Sequence, residues 1–137
     1  MLGDAGVDTP RVDAEWLMTH VFDCPRGELV LRHGAELSEA QQSQWDSFMA
    51  GRASRIPLQH LMGSADFCGL GIEVNENVLV PRPETELLAE QGWQWANAIE
   101  NPVVLDVGTG SGCLAIAIAV NCQRVEMHAL DVSPEAL

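Results

Sequence analysis

Three glycines alternate with two hydroxyl residues in Gly108-Thr109-Gly110-Ser111-Gly112, and a carboxylate stands on either side, Asp106 before and Asp131 after. Glycine lacks a Cβ, so such a run can turn tightly and bring its backbone against a ligand. Asp131 follows by about 20 residues, the interval at which an acidic side chain at the next strand tip reaches ribose hydroxyls. The bland reading of the same residues is a tight strand–helix joint whose aspartates cap strand ends.

The spacing helps to choose the ligand. Dinucleotide sites use G-x-G-x-x-G, with pyrophosphate on a helix N-terminus. Here the pattern is G-x-G-x-G, and Cys113 stands where the third glycine would fall. Asp106 would repel a pyrophosphate but suits a ligand carrying positive charge. S-adenosylmethionine fits that description: a ribose, an ammonium and a sulfonium, without phosphate. A nicotinamide-dependent dehydrogenase has only the glycine turn in its favour.

Other chemistries find little support. Cys24, Cys68, Cys113 and Cys122 form no C-x-x-C pair, and His20, His33, His60 and His128 match no metal spacing. We expect free thiols in a reducing cytoplasm and no metal site. All seven basic residues are arginine, so a Walker A loop, a Schiff-base lysine and a Ser-Lys dyad are excluded within these residues. Twenty acidic residues bring the formal net charge to -13. That charge argues against nonspecific nucleic-acid binding and suits a basic partner, a salt-rich cell or simply a solvated surface. We expect no membrane span and no signal peptide.

The elements that must position the glycine run follow from periodicity. Val103 to Val107 reads as a parallel strand buried on both faces. Cys113 to Val120 reads as a helix packed on a sheet, and Val125 to Leu130 as a second strand ending at Asp131. Ser133-Pro134-Glu135 has the pattern of an N-cap, a first-position proline and an acidic first turn, so a further helix is expected to start there. One β-α-β unit is not a whole doubly wound sheet, and we expect these residues to be the front part of a longer protein.

Upstream, the expected elements are four short helices. Thr9 should cap the first, with Pro10 at its first position and Val12, Trp16, Leu17 and Val21 facing inward. Pro25 to His33 should form the second, stopped by Gly34. Ser38 and Gln41 form a capping box for the third, with Trp45, Phe48 and Met49 inside. Pro57 opens the fourth, ended by Gly63. A hairpin is expected next, with one strand over 67–74, a turn at Asn75–Asn77 and a second strand at Val78–Val80. Pro83 should start a helix to about Ile99 that buries Leu87, Leu88, Trp95, Ala96 and Ile99.

Two segments carry a family resemblance. Asp106-Val107-Gly108-Thr109-Gly110-Ser111-Gly112 resembles motif I of class I S-adenosylmethionine-dependent methyltransferases. Val78-Leu79-Val80-Pro81-Arg82-Pro83-Glu84-Thr85-Glu86 resembles the VLxPRPETE signature of the peptide-chain release factor glutamine methyltransferases. The segments Thr9–Glu15 and Pro57–Gly63 also resemble that family's N-terminal helical domain, so the likeness spans nearly the whole chain. Pro83-Glu84 favours it over the related ribosomal-protein glutamine methyltransferases, which carry PRSP there.

The resemblance implies an α/β architecture: a small N-terminal helical bundle over 1–64 that docks substrate, a β-hairpin linker over 65–82, and over 83–137 the beginning of a class I (Rossmann-like) methyltransferase domain, incomplete at its C-terminus. It implies methylation of the glutamine in the GGQ motif of class 1 release factors, by a cytoplasmic enzyme expected to be monomeric, with no direct nucleic-acid or membrane partner. Asp106, Gly108, Thr109, Gly110, Ser111, Gly112 and Asp131 would hold S-adenosylmethionine. The family's Asn-Pro-Pro-Tyr clamp for the substrate amide is absent from this sequence, so no catalytic residue is assigned here. The alternatives are a ribosomal-protein glutamine methyltransferase, or a non-catalytic module that only binds the release factor.

Overall fold

The computed structural model describes all residues 1–137 as two compact units, Met1–Met62 and Gly63–Leu137. The chain mixes helix and strand: a helical region comes first and two small sheets follow. No helix is long and apolar enough to cross a membrane.

The first unit comprises α1 (Pro10–Phe22), a 3-10 segment (Arg26–Arg32), α2 (Glu39–Ala53) and α3 (Leu58–Met62). Pro10 opens α1 as expected, but Thr9 does not cap it: its hydroxyl donates to Asp13 Oδ1 at 2.8 Å. The inward face is centred on Asp13, Leu17 and Val21, one turn apart. Val12 and Trp16 are more exposed than their periodicity suggested. Trp16 is covered by a cation instead of the core, with the Arg26 guanidinium 5.5 Å from its ring centre. Asp13 is buried because Arg52 of α2 meets it, Nε to Oδ2 at 2.7 Å.

The capping box of α2 forms in both directions: Gln41 N–H donates to Ser38 Oγ, and Ser38 N–H to Gln41 Oε1. The Gln41 amide also donates to the Val21 carbonyl, tying the start of α2 to the end of α1. Leu2, Val7, Leu17 and Met49 make the core of this unit. The expected second helix is only a 3-10 segment, which buries none of its residues and leaves Val30 and Leu31 exposed. It is too short, with Gly27 inside it, to present an apolar stripe.

The second unit opens with an antiparallel hairpin, β1 (Ser64–Phe67) and β2 (Leu70–Glu73). Its turn is Cys68-Gly69, not Asn75–Asn77. Both turn residues have positive φ, 53° and 73°, the two-residue loop whose twist matches a hairpin. The run read as one strand therefore folds back on itself. Asn75–Asn77 does turn, through Asn75 Oδ1 accepting the Asn77 N–H, but Val78–Val80 joins no sheet.

Helix α4 (Pro83–Asn97) buries Ala96 as expected, but not the large side chains expected beside it. Leu87, Leu88 and Trp95 are exposed, while Ala89 and Ala96 are buried. Gly92 lies on the same side, so close to Ile118 that an added Cβ would come within 2.8 Å of Cδ1. Small residues on this face let α4 approach α5 (Cys113–Asn121), and Trp93 packs against the same core.

Strands β3 (Val103–Val107) and β4 (Glu126–Leu130) pair in parallel around α5, in register from Val103↔Glu126 to Val107↔Leu130. The expectation that β3 is buried on both faces is not met: Val103, Leu105 and Val107 are all more than half exposed. A single crossover helix covers a single face of the pair. Phe67, Ile72 and Val74 of the hairpin segment share one core with Ala89 of α4 and Ala117 of α5. Beyond β4 the chain makes one 3-10 turn, Pro134–Ala136.

Candidate functional site

The glycine run leaves the tip of β3 and enters α5. Gly108, Gly110 and Gly112 all have left-handed backbone, with φ of 76°, 53° and 74°. A side chain in that region costs about 1–2 kcal/mol per residue. A Cβ on Gly108 or Gly110 would nevertheless meet nothing within 4 Å. Backbone conformation demands these two glycines, and the space beside them stays open. Gly112 differs: its Cβ would touch Ile116 at 3.4 Å, and it serves as the N-cap of α5.

Strand β4 holds the loop. The N–H groups of Gly108 and Thr109 both donate to the Leu130 carbonyl, at 2.8 and 3.0 Å. Thr109 is buried, and its hydroxyl donates to Asp106 Oδ2 at 2.7 Å. Asp131 closes the arrangement: Oδ2 accepts the Gly110 N–H at 2.8 Å, and Oδ1 accepts the Ser133 N–H at 2.9 Å. These backbone donors, Ser133 foremost and then Gly110, hold the Asp131 carboxyl below the usual carboxylate range.

Asp106 is thus bonded to Thr109, and Asp131 to the next residue of the loop, Gly110. Asp131 is also a partner of the loop backbone, which sequence reading did not foresee. A carboxylate offers about four acceptor directions, so the backbone donors do not exhaust it. Ser111 faces a neighbouring cavity of about 360 Å³, also lined by Glu73, Asn75 and Glu135. No basic side chain lines it, so its electrostatics favour a ligand with positive charge. From the sequence, Glu73 had only a place in a strand and Asn75 only a place in a turn. The hairpin brings them there, and nothing in their local pattern signals it.

The PRPETE segment has a role in packing. Glu86 Oε1, in the first turn of α4, accepts the Cys68 N–H at 2.9 Å and so fixes the hairpin turn. Burial first, and Glu86 next, push the Cys68 thiol up from its ordinary pKa.

Residues 1–63 match the family described as the PrmC N-terminal domain. A release factor glutamine methyltransferase of Deinococcus radiodurans is 43% identical over 134 residues, covering 97% of this chain and 48% of that protein. One from Bordetella pertussis is 36% identical over 137 residues, covering 100% of this chain and 50% of that protein. One from Mycolicibacterium smegmatis is 43% identical over 139 residues, covering 99% and 47% respectively. The chain spans about half the length of the curated relatives it matches. This similarity runs through the helical unit and the glycine loop alike, and it supports the chain as an N-terminal part of the release factor glutamine methyltransferase family.

Proposed function

We propose that the gene product carrying these residues is an S-adenosylmethionine-dependent methyltransferase. Its substrate is the glutamine of the GGQ motif in class 1 release factors, and the product is N5-methylglutamine. It acts in the cytoplasm as a monomer. Residues 1–64 dock the protein substrate, residues 65–82 lie between the working parts, and residues 83–137 begin the Rossmann-like cofactor domain.

The observation that carries this reading is the clamped, open loop. Gly108 and Gly110 leave their backbone accessible, while Asp131 and Leu130 hold it in one geometry. The donor set fits the cofactor: Asp131 has acceptor capacity left for ribose hydroxyls, and the carboxylates near the loop suit an ammonium and a sulfonium. Gly108 to Gly112 would cradle it, with Thr109 and Asp106 bracing the loop from behind. When bound, the cofactor supplies a methyl group on a positively charged sulfur.

An amide nitrogen is a poor nucleophile, since its lone pair is shared with the carbonyl. The protein must hold that nitrogen in line with the methyl group and accept its hydrogen, and positioning of this kind yields large rate gains. Residues 1–137 contain no Asn-Pro-Pro-Tyr to do so. We therefore assign cofactor binding to this chain's residues and assign amide activation to none of them.

The reading is tested by incubating the gene product with labelled S-adenosylmethionine and, in parallel, an unmethylated class 1 release factor and total ribosomal protein. Label in the release factor alone supports it. Label in a ribosomal protein, or in neither, refutes it.

A further inference from the structure

Five of the seven arginines lie in the first unit. Two of these are engaged away from the 3-10 segment: Arg52 meets Asp13, and Arg55 donates to the Gly6 carbonyl. The other three, Arg11, Arg26 and Arg32, border one surface. Two cavities of about 470 and 430 Å³ run along the 3-10 segment and share Arg11, Glu15, Leu29 and His33, so they form one continuous groove. Met18, Phe22 and Trp45 supply apolar lining. Val30 lines it too, although it is 75% exposed.

The charge of this groove runs against that of the chain. Its walls carry three arginines and one carboxylate, Glu15, a balance of +2 in a chain of net charge -13. Glu15 is itself bonded to both Arg11 and Arg26, at 2.9 and 2.6 Å. A surface that is merely solvated would share the acidity of the rest. Apolar lining beneath guanidinium groups is instead the composition of a protein-binding patch, where arginine is enriched and lysine depleted. Guanidinium groups also match carboxylates bidentately.

We propose that this groove docks an apolar segment flanked by carboxylates, carried by the protein substrate outside its methylated motif. The proposal rests on the function given above and names a docking chemistry for that substrate. The apolar anchors of the segment lie over Met18, Phe22 and Trp45, and its carboxylates meet Arg11, Arg26 and Arg32. Binding there raises the local concentration of the glutamine without touching the reacting atoms.

Two exposed positions test it in the gene product carrying residues 1–137. Arg32→Glu reverses a wall charge, and Val30→Asp puts a charge on the apolar lip; neither removes a core side chain. The readout is kcat/KM for a whole release factor divided by kcat/KM for a short peptide bearing the GGQ glutamine. Each variant should lower that ratio by about tenfold, the scale of a lost interface anchor, through KM for the whole factor. Arg32→Lys should fall between wild type and Arg32→Glu, and added salt should lower the wild-type ratio.

An unchanged ratio in folded variants, verified by thermal melting, overturns the docking groove and leaves the methyltransferase reading standing. If wild type modifies no release factor, the function fails and the occupant named here fails with it. A wild-type dimer that Arg32→Glu dissociates would assign the groove to a second copy, which also overturns the proposal.

Discussion

The carboxylate of Asp131 accepts the backbone N–H of Gly110 at 2.8 Å, joining residues 21 apart in sequence. The tip of β4 is thereby fastened to the middle of the glycine loop that follows β3. The same carboxylate receives the Ser133 N–H, so a single side chain organises the ends of both strands. A ligand drawn to Asp131 meets a loop already held in place, which lowers the ordering cost of binding.

Replacing Asp131 should therefore remove a ligand contact and loosen the loop together. Asp131→Ala should weaken S-adenosylmethionine binding about ten- to a hundredfold, the scale of a lost hydrogen bond to a charged group. Asp131→Asn should not restore it, because one side of the amide would present N–H to a backbone N–H. Titration calorimetry measures both, and wild-type affinity in Asp131→Ala would remove this residue from the site.

The same contact sets a pH dependence. Backbone donors depress the Asp131 pKa in the folded chain. Its contribution is then fully present above the ordinary carboxylate value and is lost as pH falls through the depressed folded value. The amide resonances of Gly110 and Ser133 should titrate below the ordinary carboxylate value. In Asp131→Asn that transition should vanish. Titration of both amides at or above the ordinary value would contradict the assignment.

Gly110→Ala separates backbone strain from ligand access. The left-handed φ should cost about 1–2 kcal/mol of stability, and no clash adds to it, since the Cβ has open space. The methyl group would occupy the side from which a ligand approaches. Cofactor affinity should fall by more than the stability loss, as seen by comparing urea unfolding with calorimetry. Full affinity in the variant would place the ligand elsewhere.

In the helical unit the critical pair is Asp13 and Arg52, whose side chains are 7% and 16% exposed. Asp13→Ala leaves a largely buried guanidinium without its carboxylate and the Thr9 hydroxyl without its acceptor. It should cost about 3–5 kcal/mol, the range for breaking a buried ion pair from one side. The double change Asp13→Leu with Arg52→Met should cost less than Asp13→Ala alone. Urea denaturation checks the order, and the reverse order would mean that the pair is peripheral to stability.

Local chemistry explains which parts of this structure were legible in the sequence. The Ser38–Gln41 box and Pro10 at the start of α1 depend on near neighbours, and both formed as read. The glycine loop was legible because positive φ at Gly108, Gly110 and Gly112 leaves a compositional trace. The hairpin was misplaced because Cys68 adopts the left-handed region, which few non-glycine residues do. The face of α4 was misassigned because Leu87, Leu88 and Trp95 have the larger apolar area. Ala96 was read as buried, but only the partner helix shows that Ala89 and Gly92 pack on that side too. Asp13 was hidden for a similar reason: its burial follows from Arg52, which lies 39 residues away.

The most direct test is mass spectrometry of an unmethylated class 1 release factor after incubation with S-adenosylmethionine and the gene product carrying residues 1–137. The account predicts one methyl group on the side-chain nitrogen of the GGQ glutamine, with transfer strongly reduced by Asp131→Ala in the same protein. A release factor that remains unmodified, or transfer indifferent to Asp131, would contradict it.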